Sequence, residues 1–227
     1  MSRTETANRV ADRSVAAARE KAADEVDRLL AAAERVLGRD GYGGLRVDDV
    51  LDEAGLSTRA FYRHFRGKAE LFVALFDREA ARAQTRLRAR IEAESTPDAQ
   101  VRAWVAASLG FAFDPRLARR TRLFSLEEHV VARDFPEEIQ RCVEAQLEPL
   151  EAAIARGRDT AVFPHAEPAR DARAIHHLCA GLMRDQLLGV SALRRDDAVA
   201  LATGFAIQTL HADGRARRPE HRPGGKT

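Results

Sequence analysis

The chain has 227 residues, of which 45% are hydrophobic and 32% charged, a balance that excludes a disordered chain and suits one or two folded domains. The formal net charge is only +2, so a surface for nucleic acid would have to be local. The two cysteines, Cys142 and Cys179, are too few for a disulfide framework and are typical of a reducing compartment. We find no signal peptide, and the longest uncharged stretch, residues 198–210, is shorter than the roughly 20 residues that a membrane helix needs. The sequence therefore predicts a cytoplasmic protein without a membrane partner.

The N-terminal third contains one long helical pattern followed by two short ones. Residues 1–23 are rich in arginine and poor in large apolar groups, which predicts a flexible arm that is either a solvated tail or a DNA-contacting segment. Residues 24–39 carry apolar groups at the spacing of one helical face, and glycines follow directly. A short helix is predicted from about Val47 to Ala54, then a turn, then a second short helix from Thr58 to about Phe65 with Ser57 as its N-cap.

The remaining chain also reads as helices. A long helix is predicted from residue 71 to about 94, and Thr96-Pro97-Asp98 is a helix start. Residues 103–113 carry no charge, which predicts a buried, central helix. Further helices are predicted at 116–131, from Pro136 with a kink at Pro149, at 167–188 and at 194–211, before a disordered tail.

The predicted fold is all-α, because no stretch shows the alternation of a strand. It consists of an N-terminal three-helix bundle with a helix-turn-helix and a larger C-terminal helical domain for ligand binding and dimerisation. The predicted segments are a flexible arm (1–23), the helix-turn-helix domain (24–84), the C-terminal domain (85–212) and a disordered tail (213–227).

Charge is segregated across the two short helices in a way that favours DNA binding. All charged residues of the first short helix are acidic, at positions 48, 49, 52 and 53, whereas residues 57–68 contain three arginines and a lysine and no acid. Two short helices joined by a glycine-containing turn are the helix-turn-helix plan. Phe61 and Phe65 are predicted to anchor the second helix, which leaves Thr58, Arg59, Tyr62 and Arg63 on its outer face. Such a helix can enter the major groove, where phosphate contacts supply affinity and base contacts supply specificity.

The run from Gly41 to Leu75 resembles the DNA-binding signature of the TetR family of transcriptional regulators. The residues that carry the resemblance are Gly41-Tyr42, Val47, Ala54-Gly55-Leu56-Ser57, Phe61-Tyr62, His64-Phe65, Lys68 and Leu71. With the first helix, the match covers about 60 residues of the chain. Beyond them, the remaining two thirds is similar only in the number and length of its helices.

The resemblance implies roles for individual residues at a double-stranded DNA operator. Tyr62 and His64 would contact phosphates, Lys68 would lie near the DNA backbone, and Thr58 and Arg59 would face the bases. The full predicted DNA-binding set is Arg46, Ser57, Thr58, Arg59, Tyr62, Arg63, His64 and Lys68.

Three positions depart from the pattern of the family. Arg46 replaces a common Thr and would exchange a hydroxyl contact with phosphate for an arginine contact. Leu51 replaces a common Ala between the two short helices. Arg59 replaces a small residue, so the operator sequence does not transfer from a relative.

The resemblance also implies an effector cavity in the C-terminal half, near the only tryptophan. A small, mostly apolar effector is expected there, lined by Trp104, Ser108, Phe111, Phe124, Cys142, His177 and Met183. The alternative for these aromatic residues is an ordinary core. Small residues on the last two helices, namely Ala180, Gly181, Ala202, Gly204 and Ala206, favour a homodimer interface of four helices.

The leading hypothesis is thus a ligand-responsive repressor that binds a palindromic operator as a dimer. One alternative is a constitutive or architectural DNA-binding protein without an effector, and a more distant one is a helical enzyme. No nucleophile and base stand at a readable spacing, so we predict no catalytic residues. Adjacent His176 and His177 point about 100° apart on a helix, so neither a metal site nor a cofactor is predicted.

Overall fold

The computed structural model describes residues 3–125, 133 and 135–212, with side chains from residue 13 onward and only the backbone of Ser125. All regular elements in these residues are α-helices, which confirms the all-α prediction. The helices are α1 (Arg3–Gly44), α2 (Val47–Ala54), α3 (Thr58–His64), α4 (Lys68–Glu92), α5 (Pro97–Phe113), α6 (Pro115–Ser125), α7 (Pro136–Asp159), α8 (Pro168–Leu188) and α9 (Arg195–His211). The predicted tail and residues 126–131 of the predicted sixth helix lie outside the described residues.

The chain divides into two compact units, of which the first ends at Arg78 and the second begins at Glu79, with Phe135 grouped with the first. This division lies inside α4, slightly before the predicted boundary at residues 84 and 85. Each unit has its own buried residues, and α4 contributes to both.

Helix α1 is longer than predicted, since it begins at Arg3 and not near Asp24. Residues 13–21 are all exposed, so this stretch has no apolar face that a periodicity search could detect. Its alanines favour a helix through intrinsic propensity alone. The predicted arm is therefore helical in the structure, and its flexibility stays a prediction. At the other end, Gly41 has a φ of +68° and kinks the helix, a conformation that glycine adopts without strain.

The helices α1, α2 and α3 pack against one another in the first unit. Between α2 and α3 the chain turns at Gly55, whose φ of +62° is left-handed. Arg28 of α1 donates a hydrogen bond to the Ala54 carbonyl oxygen at 2.8 Å. This bond satisfies a carbonyl that the end of α2 would leave unpaired, and it ties the turn to the long helix.

Helix α5 lies at the centre of the second unit, as its uncharged sequence predicts. It packs against α6, α7, α8 and α9. Its N-terminus is capped by Thr96, whose side chain accepts from the Ala99 amide at 3.3 Å. Helix α7 continues through Pro149, where the sequence predicts a kink.

Candidate functional site

The second short helix, α3, is only seven residues long and is held in place by its neighbours. A helix of this length is not stable alone, so packing must fix it. Its own residues Ala60 and Phe61 are buried, and the buried Phe65 follows the helix directly. At its N-terminus the Ser57 hydroxyl accepts from the Ala60 amide at 3.3 Å. Ser57, predicted as a DNA-binding residue, therefore already serves as the helix cap.

The outer face of α3 carries the four side chains that the sequence placed there: Thr58, Arg59, Tyr62 and Arg63 are all exposed. Tyr62 is 60% exposed, and its ring meets the buried Phe61 ring edge-on, with centroids 5.3 Å apart. The Tyr62 phenol is thus exposed, supported by the buried Phe61 ring, on the same short helix as Arg59 and Arg63.

Arg46 is exposed at the N-cap position of α2, and its side chain does not cap that helix. Its φ of −115° and ψ of 144° are extended. The departure from the family's usual residue thus places a long cation at the helix start without a local structural task there.

His64 and Lys68, the other two predicted DNA contacts, already have partners within the first unit. His64 Nε2 lies 2.8 Å from Glu25 Oε2, and the His64 side chain is only 11% exposed. Lys68 Nζ donates to the Tyr42 carbonyl oxygen at 3.1 Å and lies 4.5 Å from the centroid of the Tyr42 ring. Both side chains therefore connect helices, whatever they also do at DNA.

The acidic residues of α2 serve the bundle itself. Asp48 and Asp49 lie in the first turn, where negative charge is favourable. Glu53 accepts from Arg35 of α1 at 2.7 Å. The charge segregation seen in the sequence thus gives α2 a favourable helix start and an ion pair to α1, and it leaves α3 as the cationic helix.

Sequence reasoning missed the partners on α1, above all Glu25. This carboxylate is 5% exposed. A signal was available, because Glu25 precedes the buried Leu29 by one helical turn and so lies on the apolar face of α1. Ionisable groups on an apolar face are rarely buried unless they are paired.

In the second unit, part of the predicted effector lining does come together. Trp104 is fully buried, and its indole Nε1 donates to the Gln146 carbonyl oxygen at 3.3 Å. Ser108 is buried 3.8 Å from the Met183 sulfur, and Phe111 packs against the same apolar cluster as Trp104. Phe124 and Cys142 are also buried.

The predicted lining residue His177 is exposed, and His176 lies beside Trp104 instead, with ring centroids 6.3 Å apart. Burial lowers the pKa of His176 to about 4, with His177 and Arg173 acting in the same direction. His176 is therefore neutral at neutral pH. Within the described residues, His176 Nδ1 and the hydroxyl of the buried Thr203 have no hydrogen-bond partner.

The nearby thiol offers no reactive group. Cys179 is fully buried, and burial raises its pKa to about 12. The thiol is protonated at neutral pH and behaves as a small apolar side chain.

Comparison with known proteins identifies the N-terminal region. Residues 29–75 match the family model for bacterial regulatory proteins of the tetR family. The N-terminal region is therefore similar to the DNA-binding region of the tetR family. The match covers α1 from Leu29, both short helices and the start of α4, which is the region that carries the resemblance in the sequence.

Individual relatives agree with this assignment. The chain is 40% identical over 72 residues to the HTH-type transcriptional regulator CymR of Pseudomonas putida, a match that spans 32% of this chain and 36% of CymR. The alignment thus spans about a third of either protein.

Solved structures extend the likeness of the fold to most of the chain. A putative TetR-family regulator from Rhodococcus sp. superposes with a TM-score of 0.69 at 22% identity, covering 84% of this chain and all of that one. FadR from Bacillus subtilis, solved with stearoyl-CoA, gives a TM-score of 0.62 at 14% identity, covering 82% of this chain and 97% of FadR. At these identities the likeness establishes the fold. No helix in the described part of the chain is both long and apolar enough to cross a membrane.

Proposed function

We propose that this protein is a ligand-responsive transcriptional repressor that binds a palindromic DNA operator as a homodimer. The single observation that carries the proposal is the construction of α3. Its inner side is anchored by buried Ala60 and Phe61, and its outer side presents Arg59, Tyr62 and Arg63 to solvent. The family match over residues 29–75 supports the same conclusion.

The two kinds of exposed group on α3 suit the two parts of DNA recognition. The guanidinium of Arg59 is suited to the paired acceptors of a guanine edge in the major groove. Arg63, Tyr62 and Arg46 are suited to phosphates, which position the helix without reading sequence. Thr58, at the start of α3, is exposed like Arg59 and is the second proposed base contact.

A second copy of the chain is proposed to cover the outer side of the last two helices. Leu201 and Phe205 lie one turn apart on α9 and are 52% and 58% exposed. Ala202 and Ala206, predicted as interface residues, are instead fully buried in the core of the second unit. Gly204 is exposed. A twofold dimer would place two α3 helices about 34–36 Å apart along an inverted repeat.

The effector is proposed to be a small, mostly apolar molecule bound among α5, α8 and α9. Among the described residues, two buried polar atoms of α8 and α9 have no hydrogen-bond partner: Nδ1 of His176, which lies beside Trp104, and the Thr203 hydroxyl. An unpartnered buried polar atom costs about 1–3 kcal/mol, so a ligand group that bonds either atom gains that energy. FadR, a structural neighbour, was solved with stearoyl-CoA, whose acyl chain is apolar.

The DNA-binding part is tested by removing exposed side chains of α3. The protein should select a preferred duplex from a randomised library, and the Arg59→Ala, Tyr62→Ala, Arg63→Ala triple variant should lose that binding. Arg86→Ala with Arg90→Ala is the charge-matched control, since both arginines are exposed in the second unit. A triple variant that binds the selected duplex as tightly as the parent would refute the proposal.

The effector part is tested with acyl-CoA thioesters of increasing chain length. Trp104 is the only tryptophan, so its fluorescence reports on the proposed site. At least one thioester should change this emission and release the selected duplex at the same concentrations. If apolar metabolites of this and related classes change neither the Trp104 emission nor DNA binding, the protein is better described as a constitutive DNA-binding protein without an effector. Transcription in vitro that rises when the protein is added would make it an activator.

A further inference from the structure

A buried carboxylate on α1 is bonded to the end of the proposed recognition helix. Glu25 Oε2 lies 2.8 Å from His64 Nε2 and 3.6 Å from Arg63 Nη2. The Glu25 side chain is 7% exposed and that of His64 is 11% exposed, whereas Arg63 is 54% exposed. The three residues, called the Glu25 cluster below, join the C-terminal end of α3 to the long first helix.

The chemistry of the cluster fixes which group donates. The hydrogen bond from His64 lowers the pKa of Glu25; burial opposes this shift, and Arg63 and Lys21 support it. The carboxylate is therefore ionised at neutral pH and can only accept. His64 must donate from Nε2, so that this nitrogen has no proton left for a DNA phosphate.

The location of the Glu25 cluster allows it to affect the orientation of α3. The Ser57 cap stabilises the N-terminal turn of α3 from within the helix, and the buried Phe61 and Phe65 pack it against the bundle. The Glu25 cluster adds a polar attachment at the C-terminal end. Because the short helix has little stability of its own, the direction of its exposed side chains depends on this packing and on the Glu25 cluster.

We propose that Glu25 is a positioning residue for DNA binding, which holds His64 and Arg63 so that the outer face of α3 meets the major groove in one orientation. His64 then acts through Glu25 and not as a phosphate contact. This inference rests on the proposed DNA-binding function.

The direction of the change in DNA affinity distinguishes positioning by Glu25 from a simple charge effect. Removing an acid close to DNA phosphates should strengthen binding to every sequence if the acid only repels them. If Glu25 positions α3, Glu25→Gln, which loses the charge that pairs with Arg63 and strengthens the bond to His64, should instead weaken binding to the selected duplex about 10-fold, while binding to a scrambled duplex stays equal or tightens. Asp27→Asn is the matched control, because Asp27 is an exposed acid two residues away on α1.

His64 variants separate positioning from phosphate contact. A glutamine amide reaches nearly the same position as Nε2, so His64→Gln should keep the parent affinity and His64→Ala should lose about as much as Glu25→Ala. The Glu25→Ala, His64→Ala double variant should bind no more weakly than either single variant, since both remove the same attachment. The dependence of binding on salt should keep its parent slope in His64→Gln.

Three results would overturn the proposal: tighter binding of Glu25→Gln to the selected duplex, additive losses in the double variant, or a salt slope lowered by about 0.9 per protomer in His64→Gln, as loss of a phosphate contact requires. Thermal unfolding of each variant checks its fold, and the two glutamine variants keep the test decisive if an alanine variant does not fold. A parent protein that selects no duplex would instead refute the DNA-binding function itself.

Discussion

Replacing Phe205 with aspartate should dissociate the proposed dimer without unfolding the chain. Phe205 is 58% exposed on α9, and the core of the second unit does not depend on its outer part. An aspartate at this position would remain solvated in a monomer. In a dimer the same carboxylate would be buried against its symmetry mate, where an unpaired charge is strongly unfavourable.

The size of the effect follows from the exposed area. A phenylalanine side chain buries about 200 Å², so its exposed part amounts to roughly 115 Å². At about 25 cal/mol per Å², covering this area contributes about 3 kcal/mol per copy, and about 6 kcal/mol for the two copies related by a twofold axis. Because interface area never converts fully into affinity, we take half of this as the expected loss. About 3 kcal/mol corresponds to a dimer dissociation constant raised roughly 100-fold.

Sedimentation velocity over a range of protein concentrations measures this shift directly. Val15→Asp is the matched control, because Val15 is an equally exposed apolar residue, at 52%, on the distant N-terminal stretch of the sequence. The control should sediment like the parent, and Phe205→Asp should sediment as a monomer. A parent that is monomeric at all concentrations, or a Phe205→Asp variant that dimerises as tightly as the parent, would refute the proposed interface.

Stability and DNA affinity should respond separately to three other changes. His176 has a pKa of about 4 in the folded protein against 6.5 ordinarily, so between these pH values the unfolded chain binds a proton that the folded chain does not. The contribution of His176 to the free energy of unfolding is therefore fully present above pH 6.5, and about 3 kcal/mol is lost as the pH falls towards 4. In urea unfolding at several pH values His176→Leu should lack this part of the pH dependence, and parallel curves for parent and variant would contradict it. Gly157→Ala should destabilise the fold by about 1–3 kcal/mol, because the new Cβ would lie 2.6 Å from Phe163 Cε2, whereas Gly181→Ala meets nothing within 4 Å and should be neutral or stabilising in the same assay. Ser57→Ala should cost about 1 kcal/mol through the lost cap; Ser57→Asp should keep the cap but weaken DNA binding by repelling phosphates, and an unchanged affinity in Ser57→Asp would place this residue away from the DNA.

Helix ends were predictable from sequence where a cap or a breaker marks them. Helix α5 begins directly after the capping residue Thr96, and α8 ends before Gly189, whose φ is +73°. Both ends were predicted at or within one residue of these positions. The N-terminal stretch of α1 was missed because its helix depends on alanine propensity and has no buried face to create a periodic pattern.

The face of a helix was harder to predict than its existence. On α9, Ala202 and Gly204 look alike in sequence as small residues, yet Ala202 is fully buried within the protomer and Gly204 is exposed. On α8, His176 and His177 differ by one position, and only His176 packs beside Trp104. Adjacent positions point about 100° apart, so a small error in helical phase exchanges core for surface.

Residue roles inferred from the resemblance were incomplete for a different reason, because the motif does not include every partner of its residues. The position of His64 in the sequence motif agrees with a phosphate contact, but the motif begins at Gly41, near the end of α1, and does not contain Glu25. In the folded chain the carboxylate of Glu25 accepts a hydrogen bond from Nε2 of the His64 ring. The same holds for Lys68, whose amino group is shared with the Tyr42 carbonyl. A role inferred from a motif is therefore complete only when the partners outside the motif are known.

Helix α4 connects the two proposed activities, because it is continuous across the division between the units and is anchored in each. In the first unit Lys68 bonds Tyr42, and Arg78 donates to Glu34 at 2.9 Å. In the second unit Leu87 and Ile91 are buried in the cluster that contains Trp104. We expect an effector that shifts this cluster to act on the first unit through α4. A preference of about 1–3 kcal/mol for the shifted state suffices, and the selected duplex must then weaken effector binding by the same factor as the effector weakens DNA binding.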